Sequence, residues 1–171
     1  MALLRHRDNV PASRRFQMRE KLASIGDDSW IEDDQGDRVY KVDGKAMRVR
    51  DTFLLKDRDG NEVAKIQERK LHVRDTMDIE RDGQTVARVH KALVGIRDRF
   101  KIDIEDGDDL NAHGNVLDHE YEIKRDDVVV ANVSKKWFRV RDTYGVEVAQ
   151  GEDEPLLLAL TVAIDEMTSV G

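Results

Sequence analysis

The 171-residue chain contains no cysteine. That excludes a disulfide-stapled secreted scaffold, thiolate metal sites and a cysteine nucleophile. A signal-peptide apolar stretch is missing too, because Leu3 and Leu4 run directly into Arg5, His6, Arg7 and Asp8. The longest apolar run, residues 156–164, is interrupted by Thr161 and falls well short of the roughly 20 residues a bilayer requires. A cytoplasmic protein without a transmembrane segment is therefore expected. Nor is there a concentrated basic field: 29 Lys and Arg face 36 Asp and Glu for a net charge of −7, which argues against nucleic acid as a partner. No Gly-x-Ser-x-Gly elbow, phosphate loop or dinucleotide fingerprint appears, so no catalytic residue and no cofactor are assigned, and a non-enzyme is expected. The histidines His6, His72, His90, His113 and His119 show no metal-ligand spacing, and no metal site is assigned.

What the sequence has instead is a repeat. Arg-Asp recurs at Arg50-Asp51, Arg74-Asp75, Arg97-Asp98 and Arg141-Asp142, each time with a large apolar residue two positions later. With His119 as a degenerate member and Asp28 as the first, the steps are 23, 24, 23, 21 and 23 residues. A period of this kind marks one supersecondary unit copied along the chain.

Val39, Val63, Val86 and Val130 each lie 12 residues before a repeat aspartate. Tyr40, Ala64, Ala87 and Ala131 follow them, then Val42, Ile66, Val89 and Val133 two positions on, the alternation of a half-buried strand. Further along come Met47, Leu71, Val94 and Phe138, then Val49, Val73, Ile96 and Val140, on the opposite parity. A strand changes face only with an extra residue, so a bulge or bend near the middle of each long strand is expected. Beyond the Arg-Asp bend a short strand carries Phe53, Met77, Phe100, Tyr121 and Tyr144, then Leu55, Ile79, Ile102, Ile123 and Val146. Hairpin turns rich in Asp and Gly close it. Six units give about twelve strands. In the first, Trp30 and Ile31 compete for the apolar column. The fifth, from Glu105 to Asn115, has so little apolar pattern that an irregular or edge segment is expected.

After Glu152-Asp153-Glu154-Pro155 the period changes, with acids and a proline suited to a helix start. Leu156, Leu157, Leu158, Ala159, Leu160, Val162, Ala163, Ile164 and Met167 cover every face of that helix, so it must be buried all round. Eight strands close on their own side chains, whereas about twelve leave a lumen. A mainly β fold follows: a closed barrel of about twelve strands around a buried hydrophobic C-terminal helix. Residues 1–15, with Arg5, Arg7, Arg14 and Arg15, are expected to form a flexible basic arm, and 16–171 a single domain.

Lys21-Leu22-Ala23-Ser24-Ile25-Gly26-Asp27-Asp28, Asp57-Arg58-Asp59-Gly60-Asn61-Glu62-Val63-Ala64 and Ser134-Lys135-Lys136-Trp137-Phe138-Arg139-Val140-Arg141-Asp142-Thr143-Tyr144-Gly145-Val146 together resemble the LURP-one-related family. That family belongs to the tubby C-terminal-like superfamily, with the phospholipid scramblases. The resemblance runs from about Phe16 to Met167 and implies the same twelve-stranded, helix-filled barrel. For function it implies less: tubby relatives bind phosphoinositide headgroups and scramblases act on lipids with calcium, but fold alone does not transfer activity.

The anion-binding candidate is Lys135 and Lys136 with Arg139 and Arg141 in support, cations beside Trp137 and Phe138 that suit an anionic lipid headgroup or phosphate. The competing reading puts an aromatic in the core and leaves the lysines as a solvated face. Two acidic segments stand as weak calcium candidates, Asp57-Arg58-Asp59-Gly60-Asn61-Glu62 and Gly151-Glu152-Asp153-Glu154; a hairpin accounts better for the first. A ring of Arg-Asp carboxylates at one rim is weighed against aspartates that cap their own bends. The function expected is a non-enzymatic binding or scaffold module whose partner is a protein or an anionic lipid. A calcium-dependent scramblase-like protein and an enzyme of unrecognised type are the alternatives.

Overall fold

The structure, a computed structural model, describes residues 13–20, 28–44, 52–69, 76–92, 99–138 and 140–169. The strands are β1 (Arg14–Arg19), β2 (Ser29–Asp33), β3 (Arg38–Asp43), β4 (Thr52–Asp57), β5 (Glu62–Glu68) and β6 (Thr76–Arg81). They continue as β7 (Gln84–Ala92), β8 (Arg99–Ile104), β9 (Leu110–Asn115), β10 (Glu120–Arg125), β11 (Val128–Ser134) and β12 (Thr143–Val148), and the helix α1 (Glu154–Ser169) follows. Every strand pairs with its neighbours in sequence, and β1 pairs antiparallel with β12 to close the barrel. The expected twelve strands and single C-terminal helix are thus present.

The bulges lie nearer the hairpin turns than the alternation suggests. Ile31 faces Tyr40 while Glu32 faces Arg38, so Val39 is the extra residue. The same shift leaves Val63 opposite β4, Val86 opposite β6 and Val130 opposite β10. The marker valines are therefore the bulge residues themselves. An extra residue raises local twist, which helps a sheet curl into a barrel. Where the bulge takes a carbonyl out of the ladder, the next segment satisfies it: Glu105 N donates to Val86 O and Ala149 N to Val130 O, both at 3.0 Å.

The second parity has a different origin where it is visible. β11 stops at Ser134, and Phe138 and Val140 lie in the loop beyond it. Met47, Val49, Leu71, Val73, Val94 and Ile96 lie outside the described residues. The fifth unit is also more regular than its composition indicates, because β9 pairs with both β8 and β10. Backbone ladder bonds need no apolar side chains, and Leu110 and Ala112 suffice to face the core. Ile31, not Trp30, fills the inner column; Trp30 is half-buried on the outside beneath Arg38 and Lys41. β1 begins at Arg14, so Arg14 and Arg15 are strand residues held by Glu154 and Glu147 rather than the end of an arm. The arm's remaining arginines, Arg5 and Arg7, fall outside the described residues.

Helix α1 occupies the lumen, with every residue from 157 to 167 buried. Ala64, Ala87 and Ala131, all buried, supply the small inner positions of β5, β7 and β11. The helix start is fastened to the hairpin rim by three arginines. Arg14 Nη1 lies 2.9 Å from Glu154 Oε1, Arg81 grips Asp153 at 2.6 and 2.7 Å, and Arg125 grips Glu152 at 2.9 Å twice. Asp153 also caps the helix, accepting the Leu156 N–H at 3.2 Å. Arg81 first, and then the Leu156 N–H, hold its carboxyl below the usual range against some desolvation.

Two outcomes are expected from this architecture. Leu160 is fully buried in the lumen, so Leu160→Asp places an unpaired charge there, costs several kcal/mol and abolishes cooperative folding, read by thermal unfolding. Asp153 titrates lower in the folded chain than in the unfolded one. Its contribution is therefore full above about pH 4 and lost as pH falls through the depressed value. Its side chain is 44% exposed, so Asp153→Asn should cost under about 1 kcal/mol at neutral pH and flatten the acid limb of the stability profile.

Candidate functional site

The loop 135–142 joins β11 to β12 at the rim where the helix ends. Ser134 Oγ and Lys135 N both donate to Glu120 Oε1, at 3.0 and 3.1 Å, which stitches the loop's start to the first residue of β10. At its far end Thr143 Oγ1 donates to Val140 O at 2.7 Å, and Glu20 N donates to Asp142 O at 2.9 Å. Asp142 sits at φ 58, a left-handed conformation that aspartate tolerates better than most residues.

Between these anchors Trp137 and Phe138 are both half-buried and turned onto β12. A Cβ built on Gly145 would lie 2.7 Å from Trp137 and 2.9 Å from Phe138, so the missing side chain is what lets the rings settle there. Arg15 covers the indole at 4.8 Å while its Nε holds Glu147 at 2.6 Å. The aromatics therefore anchor the loop from outside the barrel and do not enter its core.

The four predicted cations separate on inspection. Lys135 Nζ is 2.6 Å from Glu20 Oε1, and that pair uses much of its charge locally. Lys136 and Arg141 are exposed, with no carboxylate of the described residues within ion-pair distance of either. Arg139 lies outside the described residues. Val140, between the two arginines in sequence, is 58% exposed. The neighbouring turn between β9 and β10 presents Leu117, 64% exposed, at the same rim.

The acidic candidates are committed elsewhere. Glu152, Asp153 and Glu154 each meet one of the three arginines at the helix start. Asp57 Oδ1 accepts the Asp59 and Asn61 N–H groups at 2.9 Å, and these bonds, Asn61's first, lower its carboxyl's pKa. It caps its own hairpin. Of the repeat aspartates, Asp51, Asp75 and Asp98 are outside the described residues, so the ring is described only at Asp28, whose Oδ2 lies 2.7 Å from Lys41 Nζ, at Asp142, and at His119, its degenerate member.

His119 entered the sequence reading only as a degenerate repeat member and a histidine without metal-ligand spacing, and its buried role was not foreseen there. It shares the left-handed backbone of Asp142, at φ 52, yet its ring turns inward to lie 2.7 Å from Asp165 on α1 and to stack on Tyr144 at 4.4 Å. Tyr121 and Tyr144 complete a buried polar group. Both hydroxyls are pushed well above the usual tyrosine range, by burial first and by the Asp165 carboxylate second. Two signals were available: the one histidine in an aspartate column, and Asp165-Glu166 interrupting an otherwise apolar helix.

Because the loop rests on bare backbone, Gly145→Ala should force Trp137 and Phe138 outward. The expected loss is about 1–3 kcal/mol, with a red shift and weakening of the Trp137 emission in a Trp30→Phe background.

Comparison with known proteins agrees with this architecture. No curated protein sequence is significantly similar to the chain. A crystal structure of a protein from Arabidopsis thaliana superposes with a TM-score of 0.69, covering 92% of each chain at 18% identity, and at that identity the likeness concerns the fold. The sequence pattern described as LURP-one-related matches residues 14–165, from the first residue of β1 to the helix carboxylate that meets His119. The chain belongs to the LURP-one-related family.

Proposed function

We propose that the protein is a non-enzymatic binding module whose rim loop 135–142 engages an anionic lipid surface. The observation that carries this reading is the way the loop is held. Trp137 and Phe138 fix it against Gly145, while Lys136, Val140 and Arg141 are left facing solvent. A positioned pair of cations around an aliphatic tip suits headgroup phosphates with acyl chains behind them, and Leu117 offers a second tip beside it. The chain as a whole carries a net charge of −7, so attraction at this patch is a local effect and should be screened by salt. A protein partner at the same rim is the competing outcome.

Lys136→Ala/Arg141→Ala removes the two exposed cations without touching the loop's anchors. Each cation is worth about 1 kcal/mol at an anionic surface, so the double variant should bind phosphatidylserine-rich vesicles about thirtyfold more weakly at low salt. Co-sedimentation measures this, with phosphatidylcholine vesicles as the uncharged comparison. Equal binding by both proteins would remove the patch. If wild type ignores both vesicle types, the rim reading turns to a protein partner.

A further inference from the structure

The cluster beneath the rim has more polar atoms than protein partners. His119, Tyr121, Tyr144 and Asp165 are 6, 4, 0 and 4% exposed, and they come from the β9–β10 turn, β10, β12 and α1. His119 Nε2 is engaged with Asp165 Oδ1 at 2.7 Å. That leaves three buried polar atoms without a hydrogen bond among the described residues: His119 Nδ1, Tyr121 Oη and Tyr144 Oη. Thr161 is near enough to Tyr121 to moderate the rise of its pKa, but no hydrogen bond of good geometry joins them. The Thr161 hydroxyl is instead spent on Leu157 O at 2.8 Å.

The residues that carry these three atoms adjoin one another. The ring of His119 lies on that of Tyr144, and the Asp165 charge acts on both tyrosines, which also act on each other. Buried polar groups are almost always satisfied, and each orphan weakens folding at least about fivefold. Three orphans in one spot therefore call for a common partner.

We infer that this end of the lumen is a binding site for ordered water, bridging His119 Nδ1 to the Tyr121 and Tyr144 hydroxyls. The chemistry selects that guest. Nδ1 presents a lone pair on a neutral ring with Nε2–H turned to Asp165, or an N–H on an imidazolium, and each tyrosine hydroxyl can donate or accept, so the partner must be able to do both. A water supplies two donors and two acceptors and commonly makes about three bonds in such a site. An apolar guest could satisfy none of these atoms. An anion would have to lie beside a buried carboxylate. The water also completes the tie between the rim turn and the helix end, since His119 is held to α1 directly and to β10 and β12 through the guest.

A crystal structure of the wild-type chain at high resolution tests the site directly. Density within about 3.2 Å of His119 Nδ1 and of at least one tyrosine hydroxyl is expected. Both hydroxyls turned onto protein acceptors, Thr161 included, with no density between them would overturn it. The variants Tyr121→Phe and Tyr144→Phe give a second reading in solution. If water bridges the hydroxyls, each loses a bond and the melting temperature should fall by about 2–4 °C. If the hydroxyls are dry orphans, removing either one raises the melting temperature or leaves it unchanged, and the inference fails. The His119 Nδ1 nitrogen resonance separates the bridge from a general packing loss. Tyr144→Phe should shift it with the His119–Asp165 bond retained, and an unmoved resonance counts against the site.

Discussion

An apolar helix with no polar face can exist in water only if something surrounds it, and the rest of this molecule answers that requirement. Residues 157–167 are buried on every side, so the enclosing wall needs enough strands to leave room for a helix about 10 Å across. Small residues line part of that wall, and valine bulges help it curve. The two ends of the helix are held by opposite means. Three exposed or half-exposed arginine pairs fasten its start, and a buried imidazole–carboxylate contact meets its final turns.

Most of the wall was legible because burial imposes a period on sequence. Alternation identified the inner columns from Phe53 to Val146, and the all-apolar run identified the helix. The bulges were misplaced because the parity switch does not report them: they precede both apolar columns, and where the switch is described it reflects the end of β11 at Ser134. Val39, Val63, Val86 and Val130 look like ordinary strand valines until pairing partners are known. Strand β9 was hidden for the opposite reason. Its place is set by neighbours on both sides, and a segment with ladder bonds at both edges needs few apolar side chains of its own.

The candidate site was legible in composition but not in orientation. The Lys-Lys-Trp-Phe segment can be read as core with solvated lysines, the commoner case, or as a basic surface with aromatics. Gly145 decides only where the rings lie, admitting them against the outside of β12, and nothing local to the loop records that contact. Glu20, which takes up Lys135, comes from the far end of the sequence for the same reason. His119 and Asp165 are 46 residues apart, and their contact exists only because the helix lies inside the barrel.

Closure of β1 against β12 has a consequence for how such a chain is made. The first strand leaves the ribosome long before its partner, and the helix that fills the interior emerges after every strand has been synthesised. Until then the nascent chain is an open curl with an unsatisfied edge at β1 and an apolar concave surface, both open to wrong pairings. The barrel cannot be completed strand by strand during translation, because the segment the strands are built around follows all of them in the chain. A premature stop anywhere before α1 should therefore yield a chain whose barrel lacks its core and is open to proteolysis.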